Sequence, residues 1–253
     1  MATPGAEVPE LDGAPLFLLD VLPETEQLLV EGAEGRHAVD VLRLEPGERV
    51  RVGDGQGTVV EGDVVSAGPQ GLRVAVLHRF EVPAPQPEFL LVQALPKGDR
   101  GPLAVDLATE LGVDRIVPWT AARCVTRWRD DRVAKGVAKW RAAARAASKQ
   151  SRRPRVPEVT EPMSTREVCG LLGDVDLAVV LHEQARRPMA ELTVPSSGTV
   201  AVVVGPEGGL TDGEVVAFRA AGAEPVRLGP EVLRTSTAGA AALAALSAHT
   251  RWA

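Results

Sequence analysis

Apolar positions fall into two textures along the 253 residues. Up to about residue 80 they come in short runs, Leu16 to Leu19, Arg49 to Val52, Thr58 to Val65 and Arg73 to Phe80. Gly53-Asp54-Gly55-Gln56-Gly57 and Gly68-Pro69-Gln70-Gly71 supply turns between them. Valine-rich or alternating runs bounded by such turns predict strands, and several short ones predict a small β-barrel. One helix is expected from His37 to Leu44, with Val41, Leu42 and Leu44 on one side before Pro46-Gly47 stops it. Three prolines in Val82-Pro83-Ala84-Pro85-Gln86-Pro87 form a semi-rigid join. The predicted division is therefore a barrel over residues 1–81, a linker over 82–87 and a second domain over 88–253.

Beyond the join, apolar strands alternate with helices. Strands are expected at Phe89 to Leu95, Arg115 to Pro118, Leu177 to Leu181, Val200 to Val204 and Pro225 to Leu228. Helices are expected from Pro102 to Leu111, in the basic stretch after Arg123, from Asp212 to Ala221 and from Thr237 to His249. A βαβ series of this kind gives an α/β fold with a parallel sheet covered on both faces.

The formal net charge of -6 argues, taken alone, against a nucleic-acid partner. Its distribution changes that picture. Arg123 to Arg155 holds twelve basic residues against Asp130 and Asp131, so that stretch carries +10 and the remainder -16. Such asymmetry fits either a polyanion docked on one face or a solvated helix face. Two cysteines, Cys124 and Cys169, are too few for a disulfide framework and too far apart for a zinc pair, which points to a reducing, cytoplasmic setting. His37, His78, His182 and His249 do not cluster, so no metal site is expected. Met1 to Asp12 lacks the basic and apolar regions of a secretory leader, and no apolar run approaches the ~20 residues that span a bilayer.

Two segments could carry chemistry. In Val202-Val203-Val204-Gly205-Pro206-Glu207-Gly208-Gly209-Leu210, an apolar strand enters a loop with three glycines and a carboxylate. A helix follows with the capping-box spacing Thr211 to Glu214. Glycine admits positive φ and close ligand approach, and open α/β sheets bind small molecules at the carboxyl ends of their strands. The same loop is equally a tight strand-to-helix turn; it is neither G-x-G-x-x-G nor a Walker loop. In Leu228-Gly229-Pro230-Glu231-Val232-Leu233-Arg234-Thr235-Ser236-Thr237-Ala238, a strand ends at a Gly-Pro turn. An arginine then precedes three hydroxyls, any of which could cap the alanine-rich helix beyond.

Together these loops resemble the cofactor signature of the SPOUT methyltransferases, and more narrowly the bacterial 16S ribosomal RNA uracil-N3 methyltransferase family. The resemblance extends to Arg36-His37-x-x-x-Val41-Leu42-Arg43, Ala94-Leu95-Pro96-Lys97-Gly98-Asp99-Arg100, Thr109-Glu110-Leu111-Gly112-Val113, Ile116-x-Pro118 and Lys149-Gln150-Ser151-x-Arg153. It departs at Pro15-Leu16-Phe17-Leu18, where many members carry an Arg-Phe-Phe-like stretch, and at Val105-Asp106, where a lysine is common.

The resemblance implies a PUA-like barrel followed by a SPOUT domain with a trefoil knot, a homodimer, and S-adenosylmethionine as cofactor. It places the cofactor against Leu181, His182, Glu183, Gly205, Pro206, Glu207, Gly208, Gly209, Leu228, Gly229, Leu233, Arg234, Thr235, Thr237 and Ala238. It also implies 16S RNA of the 30S subunit as substrate, with Arg36, His37, Arg43, Lys97, Arg100, Arg123, Arg127, Lys149, Arg152 and Arg153 as RNA-contact candidates. Methylating uracil N3 requires loss of its imide proton and stabilisation of the resulting anion. Arg234 is the candidate for the second task, against an ion pair with Glu231 or Glu207. Glu207 is a candidate base, or a residue that orders its loop. Trp128 and Trp140 read as packing anchors. Ribose 2'-O-methylation and a non-catalytic role in ribosome assembly are the competing functions.

Overall fold

The computed structural model describes residues 13–253; Met1 to Asp12, read above as lacking a leader, lies outside the described residues. The chain divides into two compact units, one extending to Ala84 and including Ser148–Val156, the other comprising Pro85–Ala147 and Pro157–Ala253. The break after Ala84 falls inside the proline-rich join. A single cut there does not describe the molecule, because Ser148–Val156 returns to the first unit.

In the first unit the strands are β1 (Leu16–Leu18), β2 (Gln27–Val30), β3 (Arg49–Gly53), β4 (Thr58–Gly68) and β5 (Gly71–Glu81), with helix α1 (Gly32–Arg36) between β2 and β3. They form one sheet in the order β1-β3-β4-β5-β2, antiparallel except for β1 against β3. Phe17 from one end of that path and Leu28 and Val30 from the other enter the same core as Val50, Val52, Val60, Leu72 and Val74. A sheet whose two ends share a core must curl, and register shifts in the long β4–β5 hairpin provide the bend. The PUA-like barrel expectation holds in this sense.

Strand β2 was not anticipated, and the helix lies earlier than expected. Chain reversal at Gly32, with φ +65, starts α1 directly after β2, and a π turn follows at His37–Val41. The wider turn rotates Ala38 and Leu44 into the core and leaves Val41 and Leu42 exposed, so the expected apolar side is corrected.

The second unit contains β6 (Glu88–Ala94), α2 (Arg100–Glu110), β7 (Arg115–Thr120), α3 (Asp131–Gln150), β8 (Glu158–Val159), β9 (Met163–Ser164), α4 (Thr165–Leu172), β10 (Leu177–Leu181), β11 (Thr199–Val204), α5 (Asp212–Ala220), β12 (Glu224–Val226) and α6 (Thr235–Ala248); the last turn of α3 begins the segment belonging to the first unit. Every strand pair is parallel, in the order β12-β10-β11-β6-β7-β8, with β9 also on β7. Central strands β6 and β11 are buried almost throughout, as strands covered on both faces must be. From β6 the chain passes to β7 on one side, and from β11 it passes to β12 on the other, so the connections diverge between the neighbours β6 and β11.

Missed elements are β8, β9 and α4. Helix α4 had a readable start, since Ser164 accepts from the Glu167 N–H while the Glu167 carboxylate accepts from the Ser164 N–H. The same box opens α5 at Thr211 and Glu214, as the spacing predicted. Trp128 and Trp140 pack edge to face with centroids 5.3 Å apart. Trp128 precedes α3, so helical spacing does not govern the pair.

Candidate active site

Exit loops of β10, β11 and β12 lie at the same carboxyl edge, because the three strands are adjacent and parallel. The β10 exit is bound to the β12 exit by backbone hydrogen bonds. The His182 N–H donates to Val226 O at 2.9 Å, the Met189 N–H to Arg227 O at 2.8 Å, and the Arg227 N–H to Arg187 O at 2.9 Å. Leu181 ends β10 half-buried; His182 accepts the Gln184 N–H on Nδ1 at 3.1 Å, and Glu183 is exposed. These are the positions the resemblance pointed to.

After Arg227 the pattern of backbone bonding changes. Among the described residues, no backbone N–H or C=O of Leu228 to Leu233 bonds to another backbone group. Carbonyl Arg234 O then accepts from the Thr237 and Ala238 N–H groups, starting α6. Arg234 is itself the N-cap, and no side chain caps the helix. The expectation that Thr235, Ser236 or Thr237 caps α6 is therefore corrected: all three lie in its first turn. A run of free donors and acceptors leading into an uncapped helix N-terminus suits a polar heteroaromatic edge and an anionic or electron-rich group. Arg234 is exposed and makes no ion pair among the described residues, so neither Glu231 nor Glu207 neutralises it.

The glycine loop after β11 is fixed from outside. Gly209 adopts φ +71, a conformation that favours glycine, and its N–H closes a turn on Pro206 O at 2.9 Å. Arg123 Nη1 donates to Gly208 O at 3.1 Å and Leu210 O at 3.0 Å. Glu207 Oε1 accepts the Lys97 backbone N–H at 3.0 Å, joining the exits of β11 and β6 where the connections diverge. Glu214 is 5% exposed; beside its cap, it accepts the Ala122 N–H on Oε1 at 2.8 Å. Sequence reasoning missed Glu214 as a tether to the β7 exit and Gln93 altogether. The Gln93 side chain is 1% exposed, reaches Thr235 O at the start of α6 through Nε2 at 3.4 Å, and leaves Oε1 without a partner among the described residues.

The RNA-contact candidates separate into free and engaged cations. In the first unit Arg36, His37, Arg43 and Arg152 are exposed, whereas Lys149 Nζ lies 2.6 Å from Glu34 Oε1 and Arg153 is half-buried. In the second, Lys97 is exposed and Arg100 half-buried at the start of α2, while Arg127 donates to Ala122 O at 3.1 Å. Arg123 holds the glycine loop. Elsewhere in the basic stretch Lys135, Lys139, Arg141 and Arg155 pair with Asp131, Asp99, Glu161 and Glu81. Four cations of the stretch thus pair with carboxylates outside it and Lys135 with Asp131 inside it, so its cations are not equally available to a polyanion. Among the described residues no group of three potential metal ligands is found, and no helix is long and apolar enough to cross a membrane.

Comparison with known proteins agrees with this geometry. Residues 83–247 match the RNA methyltransferase domain family and residues 30–77 the RNA methyltransferase PUA domain. The chain is 46% identical over 245 residues to the ribosomal RNA small subunit methyltransferase E of Mycobacterium bovis, covering 94% of each. It is 29% identical over 241 residues to the Bacillus subtilis protein of the same name, covering 90% of this chain and 93% of that one. Among solved structures, methyltransferase E of Neisseria gonorrhoeae bound to S-adenosyl methionine superposes with a TM-score of 0.81 at 28% identity, covering 94% of this chain and 98% of that one. A Legionella pneumophila methyltransferase in complex with the cofactor SAM gives 0.80 at 27% identity, with 94% and 97% covered. With the PUA-like unit, the parallel sheet and both signature loops in place, the chain belongs to the ribosomal RNA small subunit methyltransferase E family.

Proposed function

We propose that this chain methylates N3 of a uridine in 16S ribosomal RNA of the small subunit, using S-adenosylmethionine. The observation that carries the reading is the unbonded backbone of Leu228 to Leu233 running into uncapped α6, alongside the exits of β10 and β11. The cofactor supplies an electrophilic methyl group on a sulfonium. Leu228, Gly229 and Leu233 hold its adenine edge through backbone groups, with Leu181, His182 and Glu183 beside them. Gly205, Pro206, Gly208 and Gly209 leave room for the ribose and methionine portions, and Thr235, Thr237 and Ala238 offer the first turn of α6.

Uracil N3 becomes a nucleophile only when its imide proton passes to solvent water and the charge left on its carbonyl oxygens is offset. Arg234, a permanent cation with no carboxylate partner among the described residues, performs that offset beside a helix N-terminus. Glu207 spends one carboxylate oxygen on Lys97, and its role is to keep the loops after β6 and β11 in register. RNA is held by Arg36, His37, Arg43 and Arg152 in the first unit and by Lys97, Arg100 and Arg127 in the second. The proposal includes the threaded trefoil path of the family and a homodimer, readable by sedimentation, and the ribosomal substrate sets the cytoplasm as its place of action.

The test is methyl transfer from labelled S-adenosylmethionine to 30S subunits of a strain lacking the enzyme, with naked 16S RNA alongside. Digestion of the product and mass spectrometry should give 3-methyluridine. A 2'-O-methylated nucleoside overturns the position, and failure to bind S-adenosylmethionine at millimolar concentration overturns catalysis in favour of an assembly role.

A further inference from the structure

We propose that Arg123, which lies in a basic stretch suited to RNA, is instead a positioning residue that staples the glycine loop into its cofactor-binding shape; this rests on the reading of that loop as part of the S-adenosylmethionine site.

The loop contains Gly205, Gly208 and Gly209, and glycine loses more conformational freedom on ordering than any other residue. Gly208 O and Leu210 O stand on either side of Gly209, whose φ is +71. A single nitrogen, Arg123 Nη1, bonds both carbonyls at 3.1 and 3.0 Å. The bridge closes with Gly209 in its left-handed conformation and so favours it. The packing is equally close: a Cβ on Gly208 would lie 3.1 Å from Arg123 Cβ and 3.4 Å from Arg123 O.

Arg123 is in turn held by its neighbours. Glu214 accepts the Ala122 N–H at 2.8 Å, and Thr126 Oγ1 donates to Pro96 O at 2.8 Å. Lys97, next to Pro96, donates its N–H to Glu207. The contacts close a ring through the exits of β6, β7 and β11, all within the second unit. A cation is the suitable closing member because it donates to two carbonyls at once with charge-assisted bonds.

Two measurements on the full chain test this. Hydrogen exchange of the ligand-free protein reads the staple directly: Arg123→Ala should speed exchange in residues 205–211 while leaving β6 and β11 protected. Calorimetry with S-adenosylmethionine should show about 10- to 100-fold weaker binding for Arg123→Ala, as expected for loss of a charge-assisted hydrogen bond. Arg123→Lys should recover part of the affinity, because one ammonium can still reach a carbonyl. Gly208→Ala, which pushes on Arg123 from the loop side, should weaken binding too, and the double variant should fall short of additivity. The salt dependence of RNA binding should be unchanged in Arg123→Ala. Unaltered exchange overturns the staple, and unaltered cofactor affinity overturns its bearing on the site. A salt slope reduced by about one, with cofactor affinity intact, returns Arg123 to RNA contact. Wild-type protein that binds no S-adenosylmethionine overturns the functional reading and the loop's link to the cofactor, while exchange still decides whether the staple exists.

Discussion

Arg234, on which the proposed chemistry turns, and Glu207, which orders the loops around it, predict opposite outcomes. Arg234→Ala should remove turnover, by about 100-fold or more as for loss of a preorganised charge, while calorimetry still shows cofactor binding. Near-normal turnover would falsify its role. Glu207→Gln keeps an acceptor for the Lys97 N–H, so turnover should stay within about tenfold of wild type; a general base removed by the same change should cost roughly 100-fold or more. At this scale the sequence was informative where residue type and chain position coincide. The three glycines, Arg234 and the Thr211–Glu214 box could be read because their meaning is local. Arg123 could not, since its partners Gly208 and Leu210 lie more than eighty residues away. Gln93 was hidden for the same reason: nothing beside it in the chain shows that its amide reaches Thr235.

Elements follow the same division between local and distant causes. The capping box of α5 doubles as a tether to Ala122, so Glu214→Ala should destabilise by about 2–3 kcal/mol in denaturant unfolding, more than a cap alone. The box of α4 is exposed and should act through pH. Hydrogen bonds from the Ser164 hydroxyl, and next from its N–H, hold the Glu167 carboxyl below the ordinary glutamate range. A folded value below the unfolded one stabilises above the unfolded range, and that contribution is lost as pH falls through the folded value. Ser164→Ala should therefore flatten the acid limb of thermal stability within the carboxylate range, below about pH 5, and leave the slope between there and neutral pH unchanged. Five of the seven strands in the second unit were legible to within a residue or two because buried parallel strands are continuous apolar runs, whereas β8 and β9 have two residues each and show no run. Strand β2 was not, as its four residues Gln27–Val30 offer too short a run. Nor was the Arg51–Glu61 pair, 4% and 6% exposed and joined at 2.9 Å across β3 and β4, since burial of two charges depends on register and curl.

For the molecule as a whole, the two-unit plan and the join were visible as a change of texture, but the return of Ser148–Val156 to the first unit was not, because the basic stretch reads as one continuous helix. Pairing of Lys135, Lys139, Arg141, Lys149 and Arg155 with carboxylates lowers the number of cations free for phosphate. The log–log salt slope for 30S binding, measured by filter retention, should lie between about -3 and -6, well short of a slope near -10 that engagement of all twelve would give. The parallel sheet has a last consequence, for the protein's own synthesis. Leu91 of β6 pairs with Val202 of β11, 111 residues later. At about 5–20 residues per second, one side of β6 waits about 5–20 s before its neighbour is made. The nascent chain therefore carries an open, largely apolar strand edge through much of its translation, a stretch of time in which a ribosome-bound chaperone has something to hold.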